Sequence, residues 1–94
     1  MHEEALLRDL HRKVLEVAAA QAATRVRRIS LWVGALAHVT EEQLRARWVE
    51  TFAGTLAEGA QLDIEHSLDP EDPRADKIVL TKMDIDLRHV EGSS

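Results

Sequence analysis

The residues best equipped for chemistry are the first three, Met1-His2-Glu3. A free amino terminus followed by a histidine is a chelating unit. The α-amino nitrogen, the backbone nitrogen of His2 and its imidazole can close two fused rings around one metal ion. A tetragonal or square-planar set of nitrogens suits Ni(II) or Cu(II) better than Mg(II) or Ca(II). The amine must lose a proton to bind. Its reference pKa is about 7.7–8.0, and that of histidine about 6.5, so neutral pH is workable. The ordinary alternative is a solvated terminal histidine, and the three residues alone do not separate the two.

The motif runs straight into a helical pattern, which would hold a chelate at a helix start. From Glu4 to about Ala23, Leu6, Leu7, Leu10, Val14, Val17, Ala18 and Gln21 recur at three- and four-residue intervals. Glu3 and Glu4 suit the positive end of the helix dipole. That end repels a cation, so the same carboxylates lower the cost of a metal at Met1-His2. His11 falls between the apolar and polar faces and reads as a boundary residue rather than a ligand.

The period then changes. Thr24 to Val33 alternates and is β-branched, which predicts a strand with Ile29, Leu31 and Val33 on one face and Val26, Arg28, Ser30 and Trp32 on the other. Arg25, Arg27 and Arg28 form a basic cluster, read as a solvated strand start with a partner contact as the sharper alternative. The loop 34–39 carries His38. Thr40-Glu41-Glu42-Gln43 is a capping box with Val39 as its hydrophobic staple. It predicts a helix to about Ala53 with Leu44, Trp48, Val49 and Phe52 inward. Ala60 to His66 alternates again. The stretch 67–76 holds two prolines and four acidic residues and reads as a long loop. Lys77 to about His89 is a last strand. Val79, Met83, Ile85 and Leu87 share a phase that Ile78 and Leu80 do not. Either both faces are partly buried at the start, or a bulge near Thr81-Lys82 resets the register.

This order predicts an α+β fold: a small two-layer domain, a three-stranded mixed sheet with two helices on one face. Ninety-four residues make one domain. A net charge of −5 with no Tyr and one Phe argues against a nucleic-acid surface. The absence of cysteine excludes disulfides, Cys-based zinc and a thiol nucleophile. No apolar run is long enough to span a membrane, and the acidic start is unlike a signal peptide, so a cytoplasmic location is expected. No P-loop or Ser/His/Asp arrangement appears. Asp84 and Asp86 share a strand face that reads as solvated rather than catalytic. The chain is not read as an enzyme.

Met1-His2-Glu3, the amphipathic helix, Arg25-Val26 leading to Val33-Gly34, Val39 before a helix, and Glu58-Gly59-Ala60 before Leu62-Asp63-Ile64-Glu65 together resemble the HypA family of nickel-incorporation proteins. The resemblance covers about residues 1–66 and resumes in the last strand. It implies Ni2+ bound at Met1, His2 and Glu3, and delivery to [NiFe]-hydrogenase maturation. The implied partners are the hydrogenase large subunit and a HypB-like GTPase, and a homodimer is compatible with it. The family's assisting acidic residue would fall at position 40, which is Thr40 here; His38 or Glu41 could stand in as an additional ligand. The family's four-cysteine zinc ribbon is replaced by the 67–76 loop, so no zinc is expected. Residues 1–94 are read as a single HypA-like nickel-binding domain. The competing reading is a metal-free HypA-like interaction or regulatory module that docks on a maturation partner.

Overall fold

The computed structural model describes the backbone from His2 to Leu87 and the side chains from Ala5 to Leu87. The elements are α1 (His2–Ala20), β1 (Ala23–Val33), α2 (Glu41–Phe52), β2 (Gln61–His66) and β3 (Ile78–Leu87). The expected end of the last strand near His89 lies outside the described residues. The three strands form one mixed sheet in the order β2-β1-β3. β1 runs parallel to β2 and antiparallel to β3. A parallel pair needs a crossover, and α2 supplies it.

One core joins the layers. Leu10, Val14 and Ala18 of α1, Leu44, Trp48 and Phe52 of α2, and Val26, Ile29, Leu31 and Val33 of β1 are buried in a single cluster. Both helices therefore cover the same face of the sheet, as the apolar periodicities predict. The capping box of α2 is formed in both directions: the Gln43 amide donates to Thr40 Oγ1 and the Thr40 amide to Gln43 Oε1, each at 3.0 Å. Val39 packs on the core beside this turn, in the place a hydrophobic staple takes.

Several expectations are corrected. α1 ends at Ala20, not near Ala23, because Ala22 turns the chain with φ at +56°. Gln21 is consequently exposed in the turn instead of completing the apolar stripe. Val49 is 76% exposed. Its neighbour Trp48 takes the inward position, and with Leu44 and Phe52 completes the helix's buried stripe. Val26, expected on the outer face, is fully buried. The cause is a slip in the β1–β3 ladder: Val26 pairs with Ile85 and Arg28 with Asp84, so Arg27 is an extra residue that swings Val26 inward.

A second slip explains the two phases of β3. Ser30 pairs with Lys82 and Leu31 with Leu80, which leaves Thr81 as the bulged residue. Ile78 and Leu80 before it and Met83 and Ile85 after it all pack on the core. The bulge is found, and Val79 between Ile78 and Leu80 is half-buried as well, so both alternatives open in the sequence hold at the start of this strand.

The outer face of the sheet is charged and internally paired. Arg27 Nε donates to Asp86 Oδ2 at 2.6 Å. Arg28 lies between Asp63 of β2 and Asp84 of β3, at 3.6 and 3.8 Å. The basic cluster and the aspartate pair read separately along the chain are thus one set of cross-strand partners. Exposed pairs of this kind contribute little, roughly 0–1 kcal/mol each. The Arg74 guanidinium lies 4.6 Å over the Trp32 ring and shields it from solvent on that face.

The 67–76 loop is tied down rather than free. The Gly34 amide donates to Lys77 O at 2.9 Å, the Leu36 amide to Ala75 O at 2.7 Å and the Ser67 amide to Val33 O at 2.8 Å. Ala75 is buried. Within the loop, Asp72 accepts a hydrogen bond from the Arg74 amide, and that bond is the main reason its carboxyl titrates below the usual carboxylate range.

Candidate functional site

α1 opens at His2. The first four amides of a helix have no intrahelical acceptor, so the His2 nitrogen is not committed to the helical ladder. Met1 lies outside the described residues, as do the side chains of His2 and Glu3. The ligand set expected from the sequence is therefore built up from its surroundings.

Three segments meet beside the first described turn of α1. They are Ala5, Leu6 and Asp9 of the helix, Leu36-Ala37-His38 of the loop after β1, and Asp76-Lys77 at the entry to β3. Together they line a cavity of about 470 Å³. His38 takes a left-handed backbone conformation with φ at +60°, uncommon for a residue with a side chain. The hydrogen bonds from Gly34 and Leu36 to the segment 75–77 hold this loop and the entry to β3 together.

The two candidate additional ligands are not equivalent. His38 lines the cavity next to α1. Glu41 is turned along its own helix, where its Oε2 lies 3.0 Å from Arg45 Nε. Arg45 in turn donates to Leu62 O at 2.9 Å and ties α2 to β2. Thr40, at the position where the resemblance expects an acidic residue, spends its hydroxyl on the cap.

Asp9 and Asp76 were not singled out from the sequence, yet both line the cavity with His38. They are 67 residues apart in the chain, and no local signal connects them. Asp9 is also paired with Arg12 at 3.4 Å, and Asp76 approaches Lys77 at 4.0 Å. Among the described residues, no three His, Asp or Glu side chains converge tightly enough to hold a metal ion.

His11 sits where its boundary phase predicts. It is half-buried, with its ring edge-on to Phe52 at 4.6 Å between centroids. Its Nε2 and Trp48 Nε1 are buried without a hydrogen-bond partner. Among the described residues, no helix is long and apolar enough to cross a membrane.

Two helices packed on one face of a mixed β2-β1-β3 sheet define a small α+β fold. The structure resembles the solution structure of the Ni metallochaperone HypA from Helicobacter pylori, with a TM-score of 0.77 over 94% of this chain and 100% of that one. Identity there is 13%, so this likeness is one of fold. The chain belongs to the HypA family: the family model described as hydrogenase/urease nickel incorporation, metallochaperone, matches residues 1–69. The hydrogenase maturation factor HypA of Thermococcus kodakarensis is 38% identical over 63 residues, which are 67% of this chain and 45% of that protein. The factor of the same name from Azorhizobium caulinodans is 44% identical over 62 residues, 66% of this chain and 55% of that protein. The chain thus spans about half the length of the curated relatives it matches.

Proposed function

We propose that this chain carries Ni(II) on its terminal Met1-His2-Glu3 and presents it for [NiFe]-hydrogenase maturation. The observation that carries the reading is the motif itself, at the first position of a family match that begins at residue 1. The uncommitted His2 amide at the start of α1 supports it, because metallation of that nitrogen costs no helical hydrogen bond. His38 is the better placed of the two additional ligands, since Glu41 is held by Arg45. Residues 1–94 act as one nickel-binding domain, with the 67–76 loop in place of a zinc ribbon. The receiving partners are a hydrogenase large subunit and a HypB-like GTPase, in the cytoplasm.

Calorimetric titration of Ni(II) into untagged protein, with His2→Ala alongside, tests this. A saturable one-to-one isotherm is expected for the native chain. In the variant it should weaken by at least about 100-fold, since loss even of outer-shell partners costs 10–100-fold. An isotherm that His2→Ala leaves unchanged would remove His2 from the site.

The second reading, a metal-free interaction module, is favoured by one observation: the residue at position 40 is a cap and not a carboxylate. Thr40→Asp separates the readings. Asp caps a helix at least as well as Thr, so thermal stability should stay within about 0.5 kcal/mol. The nickel reading expects tighter Ni(II) binding in this variant, and the module reading expects none in either protein.

A further inference from the structure

The sheet order leaves β3 as an outer strand, with the edge away from β1 unpaired by any strand among the described residues. Two cavities, of about 570 and 430 Å³, lie between α1 and β3 along that edge and adjoin at Lys13 and Leu80. The bulge at Thr81 keeps Ile78, Leu80, Met83 and Ile85 on the helix side of the strand, each half-buried. They form an apolar floor interrupted only at the bulge.

The charge of this groove opposes that of the protein. Its charged lining is four basic residues, Arg12, Lys13, Lys77 and Lys82, against two acidic ones, Asp9 and Glu16. The chain as a whole carries −5. Asp9 and Glu16 both lie near Arg12, at 3.4 and 3.9 Å. Lys77 and Lys82 reach their nearest carboxylates, Asp76 and Asp84, only at 4.0 Å. Lys13, where the cavities meet, makes no ion pair among the described residues.

We propose that this groove binds an extended acidic segment of a partner protein, added as a fourth strand on the free edge of β3. The edge offers backbone hydrogen bonds, the apolar floor takes alternate side chains, and the lysines meet the carboxylates between them. A second copy of the chain fits less well. Two-fold pairing of two β3 edges about the groove would bring Lys82 towards its own equivalent and join two basic linings, and like charges opposite one another destabilise a strand pair. The groove meets the cavity beside the start of α1 at Leu6, Asp9 and Lys77, but Lys13 and Lys82 line only the groove, so variants there test it separately from the function proposed above.

The test is an amide NMR titration of the metal-free protein with a capped octapeptide alternating Val and Glu, and with its Val/Lys counterpart. The Glu peptide should give saturable shifts and slowed hydrogen exchange confined to β3 and the facing side of α1. The double variant K13E/K82E should weaken binding by at least about tenfold while keeping the native amide dispersion. Three results would overturn the proposal: no saturation at millimolar Glu peptide, an equal response to the Lys peptide, or a dimer by sedimentation that itself protects the β3 amides and excludes the peptide.

Discussion

Three glycines added ahead of Met1 are expected to abolish one-to-one Ni(II) binding without altering the fold. The addition leaves every side chain in place. It converts the Met1 nitrogen from an amine into a peptide nitrogen and moves the free amine three residues away, too far for fused rings to the His2 imidazole; a single added residue would only exchange one amine–imidazole chelate for another. The apolar anchors of α1, Leu10, Val14 and Ala18, begin more than two turns further on, so far-UV dichroism and the melting temperature should be unchanged. Calorimetry should show a loss of at least about 100-fold, beyond the cost of disturbing outer-shell partners.

The proposed site is expected to bind nickel in a pH-dependent way. Each nitrogen must be unprotonated to bind, so protons compete with the metal and affinity falls as pH falls. With reference values of about 7.7–8.0 for the amine and 6.5 for histidine, lowering the pH from 7.5 to 5.5 should weaken binding roughly 500-fold or more. Release by mild acid would suit a carrier. An extended chain that binds as tightly as the native one, or an affinity flat between those pH values, would place any nickel elsewhere.

Gly34→Ala is expected to be the most damaging single methyl that can be added to the loops. A Cβ at this position would lie 2.1 Å from Ala75 O and 2.6 Å from Arg74 O. Both are backbone atoms, so no side chain can rotate away to make room. Relief requires parting residues 34–36 from 74–77, which breaks the Gly34–Lys77 and Leu36–Ala75 hydrogen bonds and exposes buried Ala75. Overpacking of this kind costs about 1–3 kcal/mol before the lost hydrogen bonds, each worth about 1 kcal/mol, are counted. A total near 3 kcal/mol corresponds to a fall in melting temperature of roughly 12–24 °C for a domain of this size. Thermal denaturation followed by dichroism measures it, and limited proteolysis should open the 67–76 loop first. A fall below about 5 °C would mean that the loop is not held by this contact. Because the same backbone pairing holds the His38 loop against the entry to β3, the variant should also disturb the cavity beside α1.

Much of this molecule is legible along the chain because its signals are local. The Thr40 box needs only residues 40–43, and it forms as read. The strand phases of β1 and β2 and the seam of α1 through Leu10, Val14 and Ala18 follow from periodicity, since a residue's face is set by its neighbours within one turn or one pleat. Errors of reading arise where a distant strand intervenes. Val26 is polar-facing by simple alternation and is buried only because pairing with Ile85 forces a bulge at Arg27. Val49 fits a helical stripe by spacing, but the width of the buried face depends on how α2 meets the sheet, and Trp48 occupies that room.

The Met1-His2-Glu3 motif, the capping box, the two amphipathic helices and the membership of a nickel-incorporation family were determined by the sequence itself, because each rests on contiguous residues. Tertiary structure alone decided that His38 shares a cavity with Asp9 and Asp76, and that Arg27 and Arg28 face Asp86, Asp84 and Asp63. These partners are brought together by strand register and by a loop pinned under Gly34. Register is set by burial across the whole sheet, a sum over residues far apart in the chain, and no local pattern carries it.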